Sequence, residues 1–126
     1  MRVVITGGAG FIGQHLAAHY LKKGAVVICI DDFSRGTTRI PGVEYIEMDL
    51  TKEKPVFDPN DKVFHLASRV GSFDYYNDYQ YKVFKDNLTI DMNVIDAAYT
   101  AKVKKFMYAS SAHVYADGYQ MEENRS

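Results

Sequence analysis

A glycine-rich segment near the beginning of the chain carries the strongest chemical signal. Residues 6–13 read TGGAGFIG, so that Gly7, Gly10 and Gly13 fit the spacing G-x-x-G-x-x-G between an apolar run and a helical pattern. Glycines at this spacing permit a tight turn and let the backbone approach a diphosphate closely, and the following helix start offers unpaired N–H groups. The segment therefore predicts a loop that binds a pyrophosphate.

An acidic residue at the end of the next apolar run points to a second part of the same ligand. Asp31 follows the run at residues 25–30. A carboxylate at this place accepts both hydroxyls of an adenosine ribose and repels a 2′-phosphate, which predicts NAD rather than NADP as the cofactor. The nearby Arg35 and Arg39 would soften this preference. Asp32 is either a further cofactor contact or a solvated loop carboxylate.

The order of apolar runs and helical patterns predicts how these residues are positioned. We predict strands at residues 3–5, 25–30, 43–48, 62–67 and 104–110, and helices at 11–23 and 79–101. This alternation is typical of an α/β, Rossmann-type doubly wound parallel sheet with strand order 3-2-1-4-5. The ligand is expected where the order reverses, between strands 1 and 4. In the second helix, Leu88, Met92, Ile95 and Tyr99 recur along one face.

Length and composition narrow the classes of function. The 126 residues suffice for one domain, and 47% apolar with 25% charged residues is the balance of a globular protein. A net charge of −1 gives no field for nucleic acid or an acidic membrane. The single cysteine, Cys29, excludes a disulfide within the chain and is expected to be buried in strand 2. Without a signal-peptide pattern or a long apolar run, the chain is expected in the cytoplasm.

Several motifs in a fixed order resemble those of extended short-chain dehydrogenases/reductases, specifically the NAD-dependent nucleotide-sugar epimerase/dehydratase family. The resemblance covers residues 2 to about 117 and includes the glycine loop and Asp31. The other matching segments are MDL at residues 48–50, HLAS at 65–68, Asn87 with NVIDAA at 93–98, and YASSAHVY at 108–115. Each segment is short, and the ordered set is what makes the resemblance specific.

The resemblance implies roles for individual residues. The cofactor-binding residues that it implies, together with those of the glycine loop and strand 2, are Gly7, Gly10, Phe11, Ile12, Gly13, Asp31, Asp32, Asp49, Leu50, Leu66, Ala67, Ser68 and Asn87. Among these, Asp49 and Leu50 would hold the adenine, and Asn87 would orient structure near the active site. Ser111 would be the catalytic serine that hydrogen-bonds the sugar group being oxidised or reduced.

Simpler interpretations of these residues remain open. Asp49 would also serve as a helix N-cap, Asn87 as a solvated helix residue, and Ser111 as an ordinary strand-end hydroxyl. His65 is expected to pack within its strand. His15 and His19 lie one turn apart on the first helix without an evident third ligand, so no metal site is predicted.

The family's catalytic Tyr-x-x-x-Lys motif is expected downstream of Ser111, and the printed residues end at Ser126 without it. Tyr81 and Lys85 fit that spacing on an upstream helix, which we interpret as coincidence. We therefore expect residues 1–126 to form an NAD-binding domain that is truncated relative to the full family fold and lacks the substrate domain. Its partners would be a nucleotide sugar in the complete enzyme and, because strand 5 is an uncovered edge, a second copy of the chain. An alternative is a non-catalytic module that senses NAD or binds a partner.

Overall fold

The described part of the chain contains five strands and two helices. The structure is a computed structural model that describes residues 1–69 and 73–109. The elements are β1 (Arg2–Thr6), α1 (Phe11–Lys22), β2 (Val26–Asp31), β3 (Glu44–Glu47), β4 (Asp61–His65), α2 (Phe73–Ala101) and β5 (Lys105–Tyr108). In the part of the chain that is described, neither helix is long and apolar enough to cross a membrane.

The five strands form one parallel sheet in the order β3-β2-β1-β4-β5, which confirms the predicted fold class and strand order. Thr6, the last residue of β1, lies opposite Ile30 of β2 and His65 of β4. The carboxyl ends of these three strands therefore meet at one edge of the sheet, and the strand order reverses between β1 and β4. This edge is where ligands bind in open α/β sheets.

The core has two layers because successive residues of a buried strand face opposite sides of the sheet. Val3 and Ile5 of β1 pack in the layer that contains Ala17 of α1. Val4 packs on the other side with Ile90 and Val94 of α2. One helix thus covers each face of the sheet, which is the arrangement expected when a parallel sheet reads as continuous apolar runs.

The predicted apolar face of α2 points away from the sheet. Leu88, Met92, Ile95 and Tyr99 are 48–84% exposed, whereas Val94 is fully buried. The packed face consists of Val83, Ile90, Val94, Ala97 and Ala98. Periodicity located the helix but did not identify its packed face, because both faces carry apolar residues at helical spacing.

Some predicted element boundaries were wrong. The long helix begins at Phe73 rather than Tyr79, and β2 extends to Asp31. The fourth strand ends at His65 instead of continuing to Ala67. Beyond His65 the N–H of Leu66 is shared between the carbonyl and the hydroxyl of Thr6, and the N–H of Ala67 donates to that hydroxyl. Ser111 and the segment around it lie outside the described residues.

Candidate functional site

The glycine loop leaves the end of β1 and places the start of α1 against the sheet edge. Gly7 has a φ of +75°, a conformation that residues with a side chain rarely adopt. Its N–H donates to the carbonyl of Ile30 at 2.7 Å. A Cβ on Gly13 would lie 2.4 Å from the carbonyl oxygen of Gly7, so only glycine allows the helix to pack this closely on the loop.

The amino end of α1 carries unpaired backbone donors. Gly10 is the N-cap residue, and no side chain caps the helix. The first backbone hydrogen bond of the helix is donated by the N–H of Gln14 to the carbonyl of Gly10. The N–H groups of Phe11, Ile12 and Gly13 therefore have no carbonyl partner within the helix, and they add to the positive end of the helix dipole. Such an end stabilises an anionic group.

Asp31 joins the end of β2 to the glycine loop. One carboxylate oxygen accepts the N–H of Ala9 at 2.9 Å, and the other accepts the N–H of Phe33 at 2.8 Å. These two bonds fix the orientation of the carboxylate and hold it beside the loop. Because a carboxylate oxygen has two lone pairs, both oxygens retain capacity to accept a hydrogen bond from a ligand hydroxyl.

A cavity of about 1160 Å³ lies at this sheet edge. Nearly all of the predicted cofactor residues line it, and these are Gly7, Gly10, Phe11, Ile12, Gly13, Asp31, Asp32, Asp49, Leu50, Leu66, Ala67 and Ser68. Their binding roles remain predictions, but the structure brings them to one place. Only Asn87 of the predicted set within the described residues is not among the lining residues.

Asp49 and Asn87 each have a structural task that bears on the alternatives considered above. The carboxylate of Asp49 accepts the N–H and the hydroxyl of Thr51, so that it caps a turn rather than a helix. These two bonds, which outweigh partial desolvation, lower the pKa of Asp49. The amide of Asn87 accepts the N–H of Arg69 at 2.5 Å and donates to its carbonyl at 3.0 Å. Asn87 thereby holds the segment after β4.

Arg69 is a cavity residue that the sequence analysis did not identify. Its Nη1 lies 2.6 Å from Asp32, its Nη2 lies 3.6 Å from Asp49, and its Nε lies 3.7 Å from Asp86. Burial disfavours the guanidinium charge, but the bond to Asp32 and the three carboxylates outweigh it and raise the pKa of Arg69. The only available signal was an arginine directly after HLAS, which does not reveal its partners.

A chain of hydrogen bonds that runs from the core to the surface supports the same edge of the sheet. The hydroxyl of Thr6 lies 2.6 Å from Nδ1 of His65, Nε2 of His65 lies 2.8 Å from Asp91, and the hydroxyl of Tyr108 donates to Asp91 at 2.9 Å. Because the Thr6 oxygen already accepts two backbone N–H groups, its own hydrogen goes to Nδ1, and Nε2 donates to Asp91. The expectation that His65 packs within its strand is confirmed.

Comparison with known proteins identifies the family. Residues 3–126 match the model of the NAD dependent epimerase/dehydratase family. The chain belongs to this family. The chain is 34% identical over 125 residues to UDP-N-acetyl-alpha-D-glucosaminuronate decarboxylase of Bacillus cytotoxicus. This match covers 93% of this chain and 38% of the relative.

Solved structures of the epimerase/dehydratase family share the fold. A crystal structure of UDP-galactose 4-epimerase superposes with a TM-score of 0.78 at 32% identity, covering 94% of this chain and 41% of that chain. The UDP-glucose 4-epimerase of Thermus thermophilus in complex with NAD also has a TM-score of 0.78, at 27% identity, covering 98% of this chain and 43% of that one. The chain thus spans about two fifths of the length of these relatives, and its sheet is partial relative to theirs.

Proposed function

We propose that this chain binds NAD and forms the dinucleotide-binding portion, residues 1–126, of a nucleotide-sugar epimerase/dehydratase. The observation that carries the proposal is the placement of Asp31, whose carboxylate bonds to the glycine loop at the N–H of Ala9. A donor surface for a diphosphate and an acceptor for a ribose diol therefore line the same cavity.

The described residues fit the pyrophosphate and the adenosine of the cofactor. The uncapped start of α1 would meet the pyrophosphate through the N–H groups of Phe11 and Ile12. Asp31 would accept the hydroxyls of the adenosine ribose, while Asp49 and Leu50 would hold the adenine. The close packing of Gly13 on Gly7 holds the start of α1 against the glycine loop.

In the complete enzyme, bound NAD would accept a hydride from a sugar carbon and return it or pass it on within the reaction. Ser111 would hydrogen-bond the sugar group that is oxidised or reduced. The epimerase and decarboxylase relatives act on UDP-linked sugars by name, which supports a nucleotide sugar as the substrate class. We expect the 126-residue chain to bind NAD weakly and to show no turnover by itself.

Isothermal titration calorimetry of the chain with NAD and with NADP tests the proposal. We expect measurable binding of NAD and weaker binding of NADP. Asp31→Asn should weaken NAD binding, since its amide N–H₂ would face the N–H of either Ala9 or Phe33 and disturb the loop. Asp96→Asn is the matched control, because Asp96 is an exposed carboxylate that pairs with Lys54 and does not line the cavity. No heat with either dinucleotide would contradict the proposal.

A further inference from the structure

The cluster around Arg69 joins three parts of the chain in the lining of the cavity. Asp32 directly follows β2, Asp49 lies after β3, and Asp86 lies on α2. All three carboxylates are within 3.7 Å of the guanidinium of Arg69. The backbone of Arg69 is fixed at the same time by both polar atoms of the Asn87 amide. The guanidinium is thus held at one place by contacts from several directions.

Asp32 is the carboxylate with the closest contact, and it is itself held in position. Its Oδ1 accepts the N–H and the hydroxyl of Ser34 at 3.0 and 2.8 Å, which leaves Oδ2 for the guanidinium at 2.6 Å. Partial burial opposes ionisation of Asp32, but the bonds from Ser34 and Arg69 outweigh it and lower the pKa of the carboxyl. The Asp32–Arg69 ion pair is therefore preformed.

The position of this ion pair affects which dinucleotide the cavity would accept. Asp32 directly follows Asp31, the proposed ribose acceptor, and both carboxylates line the same cavity as the guanidinium of Arg69. A guanidinium is the side chain best suited to bind a phosphate with two parallel hydrogen bonds. Arg39, in contrast, lies over the ring of Phe33 with its guanidinium carbon 4.2 Å from the ring centroid, on the β3 side of the loop.

We propose that Arg69 is a latent site for the 2′-phosphate of NADP and that Asp32 suppresses it. This inference rests on the proposed function and extends it to the choice between the two dinucleotides. Asp32 is a specificity-determining residue in two ways, because it makes the shortest carboxylate contact of Arg69, at Nη1, and because its own charge repels a phosphate. The preference for NAD then depends on Asp32 as well as on Asp31.

The test measures the ratio of the dissociation constants of NADP and NAD by calorimetry. Asp32→Asn should lower this ratio at least tenfold relative to the unchanged chain. This gain in relative affinity for NADP should become smaller as salt is added. Asp96→Asn makes the same change in net charge far from the cavity and should leave the ratio as it is. In the double variant Asp32→Asn with Arg69→Met, the gain should disappear.

Each outcome bears on the proposal. The inference is overturned if the ratio for Asp32→Asn equals that for Asp96→Asn. It is also overturned if the gain in relative affinity for NADP persists in the double variant that lacks Arg69. Either result leaves the proposal of NAD binding intact. If the unchanged chain binds neither dinucleotide, the proposed function fails and the inference fails with it. If Asp32→Asn does not fold, Arg69→Met provides the second test. It should raise the ratio because Asp32 loses its counter-charge, and a lowered ratio would overturn the proposal.

Discussion

Replacing Thr6 by valine tests the buried end of the Thr6–His65–Asp91 hydrogen-bond chain, because valine has nearly the shape of threonine and lacks the hydroxyl. The Thr6 oxygen is bonded to Nδ1 of His65 at 2.6 Å and to the N–H groups of Leu66 and Ala67 at 3.1 Å. The N–H of Leu66 keeps the backbone carbonyl of Thr6 as a second acceptor. The valine therefore removes the described partner of two groups, His65 Nδ1 and the N–H of Ala67.

The expected loss of stability follows from these two groups. A buried polar atom that loses its partner costs about 1–3 kcal/mol. Ala67 lines the cavity and is partly exposed, so water replaces part of its bond and its cost is about 1 kcal/mol. Nδ1 of His65 belongs to a side chain that is buried, and its cost covers the full range. Together they lower the free energy of unfolding by about 2–4 kcal/mol.

Thr6→Ser is the matched control, because serine keeps the hydroxyl and loses only one methyl group, at about 1 kcal/mol. The valine variant should therefore be less stable than the serine variant by about 1–3 kcal/mol. Urea unfolding followed by circular dichroism and by tyrosine fluorescence measures the difference, since the chain has 10 tyrosines and no tryptophan. A valine variant as stable as the serine variant would refute the assignment of the hydroxyl bonds.

Three further predictions concern other parts of the structure. Desolvation, only partly offset by Asp91, lowers the pKa of His65 below its ordinary value of 6.5, so the folded state binds fewer protons than the unfolded state. The free energy of unfolding should therefore be flat above about pH 6.5 and fall at lower pH. A pH series of urea unfolding curves without such a fall would contradict this prediction. Gly13→Ala places a Cβ 2.4 Å from the carbonyl oxygen of Gly7, so it should destabilise the fold by about 1–3 kcal/mol and weaken NAD binding at least tenfold by calorimetry, and unchanged affinity would count against the loop's role. Burial first, and the charge of Asp31 second, raise the pKa of Cys29 to about 12, so iodoacetamide at pH 8 should label this thiol only in urea; rapid labelling of the native chain would show that the thiol is accessible.

Local signals were sufficient for much of the fold and part of the site. The positions of the glycine loop and of Asp31 could be predicted because they depend on backbone conformation over a short stretch and on one strand end. The strand order followed from the alternation of strands and helices and from the handedness of the crossovers. The residues predicted to bind the cofactor consequently line a common cavity, with the exception of Asn87 among those described.

The remaining features depend on contacts between distant parts of the chain. Arg69 meets Asp32 at a separation of 37 residues, and Thr6 meets His65 at a separation of 59. No periodicity or short motif encodes such pairs, because a side chain's partners are set by how neighbouring strands are aligned in the sheet. The packed face of α2 was missed for a similar reason, since only packing on the sheet selects Val94 over Leu88 for burial.

The sequence by itself determined the type of element at each place and the chemistry that the glycine loop and Asp31 offer, because both follow from local backbone geometry and residue type. The tertiary structure alone decided which charged side chains meet in the lining of the cavity. Three carboxylates from separate parts of the chain lie within 3.7 Å of the guanidinium of Arg69. They form one cluster only because the fold brings these distant residues together.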